Sequence, residues 1–422
     1  MSQPPVEIKR GLEGVVFTET NLSSIDGDAG KLTYCGYDIV DLAAHTSYEE
    51  AAFLLWYQRL PAVDELRMLS NWLRANRTLP KMVWGIMHSL PEKATPMEGL
   101  RTIASTLSIF DRACIHEELG GASLCRSVSL TAKLPTIVAS FDRLRRSRPP
   151  LEPRSDLGHA ANLLWMLNGV EPHELSVTAL ETYLVLLAEH GMNASTFSAR
   201  VTASTLGDVY SAVVTALGTL KGPLHGGAAQ KAMEDLMEIG SLENVDPWFE
   251  GKMAAGQRMF GFGHRVYKAE DPRATILREL AHKAALGSGM TRWYDIAARL
   301  EERVLASPYF KERKLYTNVD FFTAPLLAAL GIPVDLFIPM FAVARIAGWT
   351  AHVLEQEQHN RLIRPRAYYA GPRDRAWVHM EVRTPAVEAD PESKSVAGRL
   401  AGCPAALRVP PQFWPDSLPD AG

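Results

Sequence analysis

A mainly α-helical protein with one small β-hairpin near its N-terminus is the fold class this sequence predicts. Three observations carry that prediction. Apolar residues recur at three- and four-residue intervals in "VDELRMLSNWLRAN" (63–76), "ALETYLVLLAEH" (179–190), "SAVVTALGTLKG" (211–222) and "MTRWYDIAARLEERVLA" (290–306), the spacing of one helix face. Alternating β-branched and aromatic residues are confined to "GVVFTETNLSSIDGDAGKLTYCGYDI" (14–39), where "DGDAG" supplies the turn. Short Gly/Pro punctuations, "KGPLHGG" (221–227) and "LGIPVD" (330–335), separate the helical runs.

Each element has a local reason. "SYEEAAFLLWYQRL" (47–60) opens with Ser47 three residues before Glu50, the spacing of a capping box. The run "FFTAPLLAALGIPVDLFIPMFAVA" (321–344) is apolar enough to suggest a membrane span. It contains Asp335 and Pro325, Pro333 and Pro339, however, and therefore reads as buried helices broken by prolines. Residues from about 384 to 422 are rich in Pro, Ala and Asp without periodicity and read as a loosely attached tail.

Composition narrows the function classes. With 422 residues, 47% apolar and 22% charged, the chain is expected to be a soluble globular protein with more than one domain or a large helical body. A net charge of −4, from 44 basic and 48 acidic residues, leaves no electrostatic footprint for nucleic acid. Cys35, Cys114, Cys125 and Cys403 lie far apart with no CxxC spacing, which fits unpaired thiols in a reducing cytoplasm. The first residues, "MSQPPVEIKRGLEG", have no apolar signal core, so no export and a cytoplasmic location are expected.

Three stretches place a lone reactive group among small or apolar residues. In "KGPLHGGAAQKAMEDL", His225 stands just before a helix start, where the positive end of the dipole favours the neutral imidazole. In "GFGHRVYKAEDPRA", His264 follows Gly261-Phe262-Gly263 and precedes Lys268 and Arg273. Either the glycines make a tight turn beside a solvated surface, or they let a ligand approach the main chain. In "YTNVDFFTAPLLAAL", Asp320 precedes a long apolar run. Desolvation there raises a carboxyl pKa and strengthens the base, although Asn318 or Asp320 can equally serve as a helix cap. A strengthened base with a neutral histidine donor suits enolisation of a thioester or ketone. A second histidine can polarise an acceptor carbonyl, and Arg273, Arg345 and Arg364 are candidates to hold its carboxylates. Two other classes remain open: a non-haem metal site of two histidines and an aspartate, and a helical scaffold without catalysis.

The segments "GPLHGGA", "GFGHRVYKAEDPRA" and "NVDFFTAPLL", in that order, closely resemble the three catalytic segments of the citrate synthase family. "AEHGMNASTFSARV" (188–201) resembles the segment that lends a substrate-binding histidine, here His190. The N-terminal hairpin stretch and "RLIRPRAYYAGP" match as well, so the resemblance spans roughly residues 8 to 383. It implies a two-domain helical fold: a large domain from residues 1–226 and 331–383, and a small domain, 227–330, inserted between them. It implies an acyltransferase condensing acetyl-CoA with oxaloacetate and hydrolysing citryl-CoA at entry to the tricarboxylic acid cycle. No metal and no cofactor beyond the CoA thioester substrate are expected. Asp320 would be the base, His225 the donor to the thioester carbonyl and His264 the group polarising the ketone. His190, Arg273 and Arg345 would hold oxaloacetate, with Arg364 serving the other site of a homodimer. The main chain at Gly261, Phe262 and Gly263 would lie against CoA, with Lys268 facing its phosphates. The resemblance leaves no place for the extra N-terminal domain of hexameric, NADH-inhibited members. It extends to 2-methylcitrate synthases, which use propionyl-CoA.

Overall fold

The "DGDAG" turn folds as a hairpin in the computed structural model of the chain, which describes residues 8–110 and 121–382. Strands Ser23–Asp26 and Lys31–Tyr34 pair antiparallel, with Ser23 opposite Tyr34 and Asp26 opposite Lys31, and Tyr37–Asp38 adds a third strand. Asp26 Oδ1 accepts the N–H groups of Asp28 (3.1 Å) and Ala29 (2.9 Å), which fixes the turn. Leu32 and Tyr34 point inward. The buried Tyr34 hydroxyl lies 3.2, 3.1 and 2.8 Å from the carbonyls of Val185, Leu186 and Glu189, and so anchors the hairpin on the carbonyls at and just past a helix C-terminus.

Seventeen α-helices account for most of the other described residues. The four periodic runs fold as helices Val63–Ala75, Glu174–Leu187, Val209–Leu220 and Arg292–Ala306. Ser47 does cap helix Tyr48–Tyr57, accepting the Glu50 N–H at 3.1 Å. A reciprocal box instead forms at Thr95 and Glu98, ahead of helix Pro96–Thr106. The apolar run 321–344 is broken as expected, but at Gly331 (φ +74°) and Pro333; Pro325 stays inside helix Val319–Ala329. The segment Val334–Gln358 is long and apolar enough to cross a membrane, yet 89% of its most apolar window is buried in protein. Its helix, Phe337–Gln358, is the axis of the core. Helices Ala194–Ser204, Ala122–Arg145, Val209–Leu220, Tyr48–Tyr57 and Glu174–Leu187 all pack on it.

Thr18–Ile363 is one compact unit; of the chain ends, the described residues 8–17 and 364–382 belong to another. Within the large unit, helices Ala228–Ile239, Pro272–Ser288 and Arg292–Ala306 gather around Val319–Ala329. In the described part of the terminal unit, the regular structure is limited to short 3-10 turns at Arg10–Leu12 and Met380–Val382. The tail expected over 384–422 lies outside the described residues, as do Cys114 and Cys403; Cys35 and Cys125 are unpaired thiols.

Candidate active site

The glycines of "GFGH" are required by the protein's own packing. Gly261 (φ +90°) and Gly263 (φ +81°) occupy the region that disfavours side chains. A Cβ on Gly261 would lie 2.6 Å from Phe321 Cβ, and one on Gly263 would lie 2.8 Å from Leu315 Cδ2. The close approach lets the stretch pair with residues 316–318. Gly263 N–H donates to Tyr316 O (2.7 Å), and Asn318 donates its N–H to Gly261 O (2.9 Å) and Nδ2–H to Gly263 O (2.9 Å). Phe262 is buried against Phe310 and Phe321, so this stretch has only main chain to offer a ligand. The pairing ties His264 to the helix that begins at Val319 and carries Asp320.

That helix is capped by Asn318, whose Oδ1 accepts the Asp320 N–H at 3.0 Å. The cap reading of the sequence therefore belongs to Asn318. The half-buried Asp320 carboxylate accepts no hydrogen bond from a described residue. Burial raises its pKa to about 6, against the pull of Arg273, Arg345 and Arg258, with Asp271 adding to the rise.

Both histidines are fixed as neutral donors. The main-chain N–H of Ser195 points at His225 Nε2 (3.3 Å), and Ser195 Oγ lies 2.7 Å from the same nitrogen. An N–H donor requires Nε2 to be unprotonated, so the proton sits on Nδ1. Ser195 Oγ is itself held by Trp349 Nε1 (3.0 Å) and Asn193 Oδ1 (2.8 Å). His264 shows the opposite tautomer. Its Nδ1 accepts from the N–H groups of Val266 (3.0 Å) and Tyr267 (3.2 Å), leaving the proton on Nε2. Burial pushes both pKa values down to about 4, helped by Arg345 at His225 and by Arg273 at His264. Neither ring carries charge at neutral pH.

Around His264 the structure gathers a tight polar cluster. The His190 and His264 rings meet edge to face at 5.3 Å, and His190 Nε2 lies 3.2 Å from the Tyr267 hydroxyl. Burial, reinforced by Arg273, holds the His190 pKa well below its ordinary value. Arg273 is 2% exposed and clamped by Asp271, Nε to Oδ1 at 3.0 Å and Nη2 to Oδ2 at 2.8 Å. Burial opposes its charge, but Asp271 outweighs that and raises its pKa. Arg345, equally buried, spends Nε on Leu187 O (2.6 Å) and lies 4.7 Å from the Phe341 ring, which also meets His225. Its other guanidinium nitrogens have no acceptor among the described residues. Two neutral donors, a strengthened carboxylate base and two buried guanidiniums can enolise one carbonyl compound and polarise another that bears carboxylates.

The two remaining side chains singled out in the sequence are exposed. The Lys268 side chain is exposed, and its N–H donates to Gly27 O at 2.8 Å. Arg364 is exposed and belongs to the terminal unit.

Comparison with known proteins supplies the decisive observation. The sequence model described as "Citrate synthase, C-terminal domain" matches residues 11–366. The chain belongs to the citrate synthase family. It is 46% identical to citrate synthase of Haloferax volcanii over 373 residues, covering 87% of this chain and 97% of that one. To 2-methylcitrate synthase of Mycobacterium tuberculosis it is 40% identical over 379 residues, covering 89% and 94%. The structure of the Thermoplasma acidophilum citrate synthase in a ternary complex with carboxymethyl coenzyme A and oxaloacetate superposes with a TM-score of 0.83 at 31% identity, covering 89% of this chain and 100% of that one.

Sequence reasoning singled out His190, His225, His264, Asp320, Arg273 and Arg345 but missed what holds them. Ser195, Asn193 and Trp349 behind His225, Tyr267 beside His190, and Asp271 on Arg273 were not singled out. Of these, Asp271 and Asn193 left a local signal, each as a capping residue directly before a helix, Pro272–Ser288 and Ala194–Ser204.

Proposed function

We propose that this protein condenses acetyl-CoA with oxaloacetate and hydrolyses the citryl thioester to citrate and CoA. The observation that carries the reading is the pair of neutral histidines, fixed in opposite tautomers, together with a carboxylate of raised pKa on the helix tied to the His264 segment. Asp320 removes a proton from the acetyl methyl while His225 Nδ1–H donates to the thioester oxygen. His264 Nε2–H donates to the oxaloacetate ketone and gives up its proton as the new carbon–carbon bond forms. His190, Arg273 and Arg345 hold the oxaloacetate carboxylates. The main chain at Gly261, Phe262 and Gly263 lies along CoA, with Lys268 near its phosphates. No metal takes part, so activity persists in EDTA. Loss to EDTA with recovery on adding a divalent cation would return the metal reading of the same residues.

Steady-state kinetics with acetyl-CoA and propionyl-CoA test the substrate. A higher kcat/KM for acetyl-CoA is expected. The reverse preference would make the protein a 2-methylcitrate synthase, a reading favoured by the relative from Mycobacterium tuberculosis, with the same catalytic groups.

The acid limb of activity follows from Asp320. Its raised pKa means that the base form is lost as pH falls through about 6, so kcat should drop nearly tenfold per unit below that point. A plateau reaching pH 4.5 would assign the base to another group.

We also place residues 227–330 in a small domain that closes on the large one formed by 1–226 and 331–383. The mutual packing of the helices around Val319–Ala329 supports this division. Arg364 serves the site of a second copy in a two-fold dimer, in a cytoplasm that keeps Cys35 and Cys125 reduced. Light scattering should report a dimer; a fully active monomer would remove Arg364 from the mechanism.

A further inference from the structure

The N-terminal hairpin touches two of the site's three histidine segments, that of His190 at its base and that of His264 at its tip. At the base, Ser23 Oγ lies 2.9 Å from Glu189 Oε1 and accepts the Gly191 N–H at 3.2 Å, while Tyr34 holds the Glu189 carbonyl. These contacts bracket His190. At the tip, Gly27 O accepts the N–H groups of Lys268 (2.8 Å) and Ala269 (3.3 Å). The approach leaves no room for a side chain. A Cβ on Gly27 would lie 2.1 Å from Val266 O, and one on Gly30 (φ +63°) would lie 2.7 Å from Glu270 O.

The peptide units gripped by the tip directly follow, along the same loop, the ones that orient the site. His264 Nδ1 accepts from the N–H groups of Val266 and Tyr267, and the Tyr267 hydroxyl reaches His190. Residues 266–269 thus face the hairpin turn on one side and the two histidines on the other. We infer that the hairpin is a positioning element for oxaloacetate, with Gly27 its contact residue: it sets the loop that fixes His264 and Tyr267 against His190. The inference rests on the proposed role of His190, His264 and Arg273 in holding oxaloacetate.

Gly27→Ala forces the loop back by about 1 Å or more, since an ordinary contact to Val266 O needs at least 3.4 Å. A displacement of that size is expected to lower kcat/KM for oxaloacetate on the order of tenfold to a hundredfold. Ser24→Ala, an exposed change on the same hairpin, should leave it unaltered. Because both changes act through one loop, Gly27→Ala combined with Tyr267→Phe should cost less than the product of the single effects. A purely structural role for Gly27 would lower the unfolding midpoint and leave the oxaloacetate KM of the surviving enzyme at its wild-type value. That result overturns the inference. Amide hydrogen exchange on the wild-type protein gives a test independent of any variant. Lys268 and Ala269 should be protected in the presence of oxaloacetate, and exchange at the rate of open chain would overturn the inference. Arg273→Lys separates the two levels. If it leaves the oxaloacetate KM unchanged, the site reading itself fails. If it raises KM while Gly27→Ala behaves as wild type, only the hairpin's role is refuted.

Discussion

Asp320→Asn is expected to lower kcat on the order of a hundredfold to ten-thousandfold while oxaloacetate still binds. Asparagine keeps the shape of the side chain and leaves the Asn318 cap intact, since that cap uses only the main-chain N–H of residue 320. What it removes is the proton acceptor. The same change bears on stability, and the sign can be worked out. Burial raises the Asp320 pKa to about 6, above an unfolded value of about 4. Between those values the folded state binds the proton more tightly than the unfolded one, so this group's contribution falls as pH rises through that window. At pH 8 the folded protein therefore carries an ionised carboxylate against its surroundings, and asparagine relieves that cost. Thermal unfolding at pH 8 should give a midpoint at or above wild type. A variant that turns over normally but has lost oxaloacetate affinity would make Asp320 a ligand and not the base.

What the sequence made legible, and what it hid, divides along a physical line. Patterns set within a few residues were readable: the helical periodicity, the hairpin turn at Asp26–Gly30, and the interruption of the apolar run near Pro333. Reactive groups beside glycines were also readable, because His225, His264 and Asp320 stand out from small or apolar neighbours. Their control was not readable. The sequence suggested that the helix following His225 keeps it neutral. The structure adds a main-chain N–H from the start of another helix, Ala194–Ser204, thirty residues earlier in the chain. Trp349, which fixes Ser195, comes from the core helix, 154 residues further on. The hidden network beneath His190 has the same character. Glu189 meets His352 at 3.0 Å, and His352 Nδ1 meets Arg200 at 3.0 Å, all buried and from three separate segments. A buried polar group must find a partner, but nothing local says which one. The glycines of "GFGH" show the complementary limit. Their need was legible, while the neighbours that impose it, Phe321 and Leu315, were fixed only by the tertiary fold.

The largest effect on stability is expected at Asp271, which has no part in the proposed chemistry. Its carboxylate, 1% exposed, caps helix Pro272–Ser288 through the Arg273 N–H (3.1 Å), accepts the Val319 N–H (3.2 Å) at the start of the Asp320 helix, and pairs with the Arg273 guanidinium. One side chain thus joins two helix N-termini to a buried cation. Asp271→Asn removes the charge and strands Arg273, at a cost of about 3–5 kcal/mol. It should shift the urea midpoint well below wild type and raise the KM for oxaloacetate, because the guanidinium loses the partner that orients it. Arg273→Met added to Asp271→Asn separates the two consequences. With no buried charge left unpaired, much of the stability should return. Oxaloacetate affinity should not, since its carboxylate has lost the guanidinium. Urea unfolding and oxaloacetate kinetics on the single and double variants decide the matter. A wild-type midpoint for Asp271→Asn would show that the pair bears little on stability, and a wild-type oxaloacetate KM in the double variant would show that Arg273 is not a ligand.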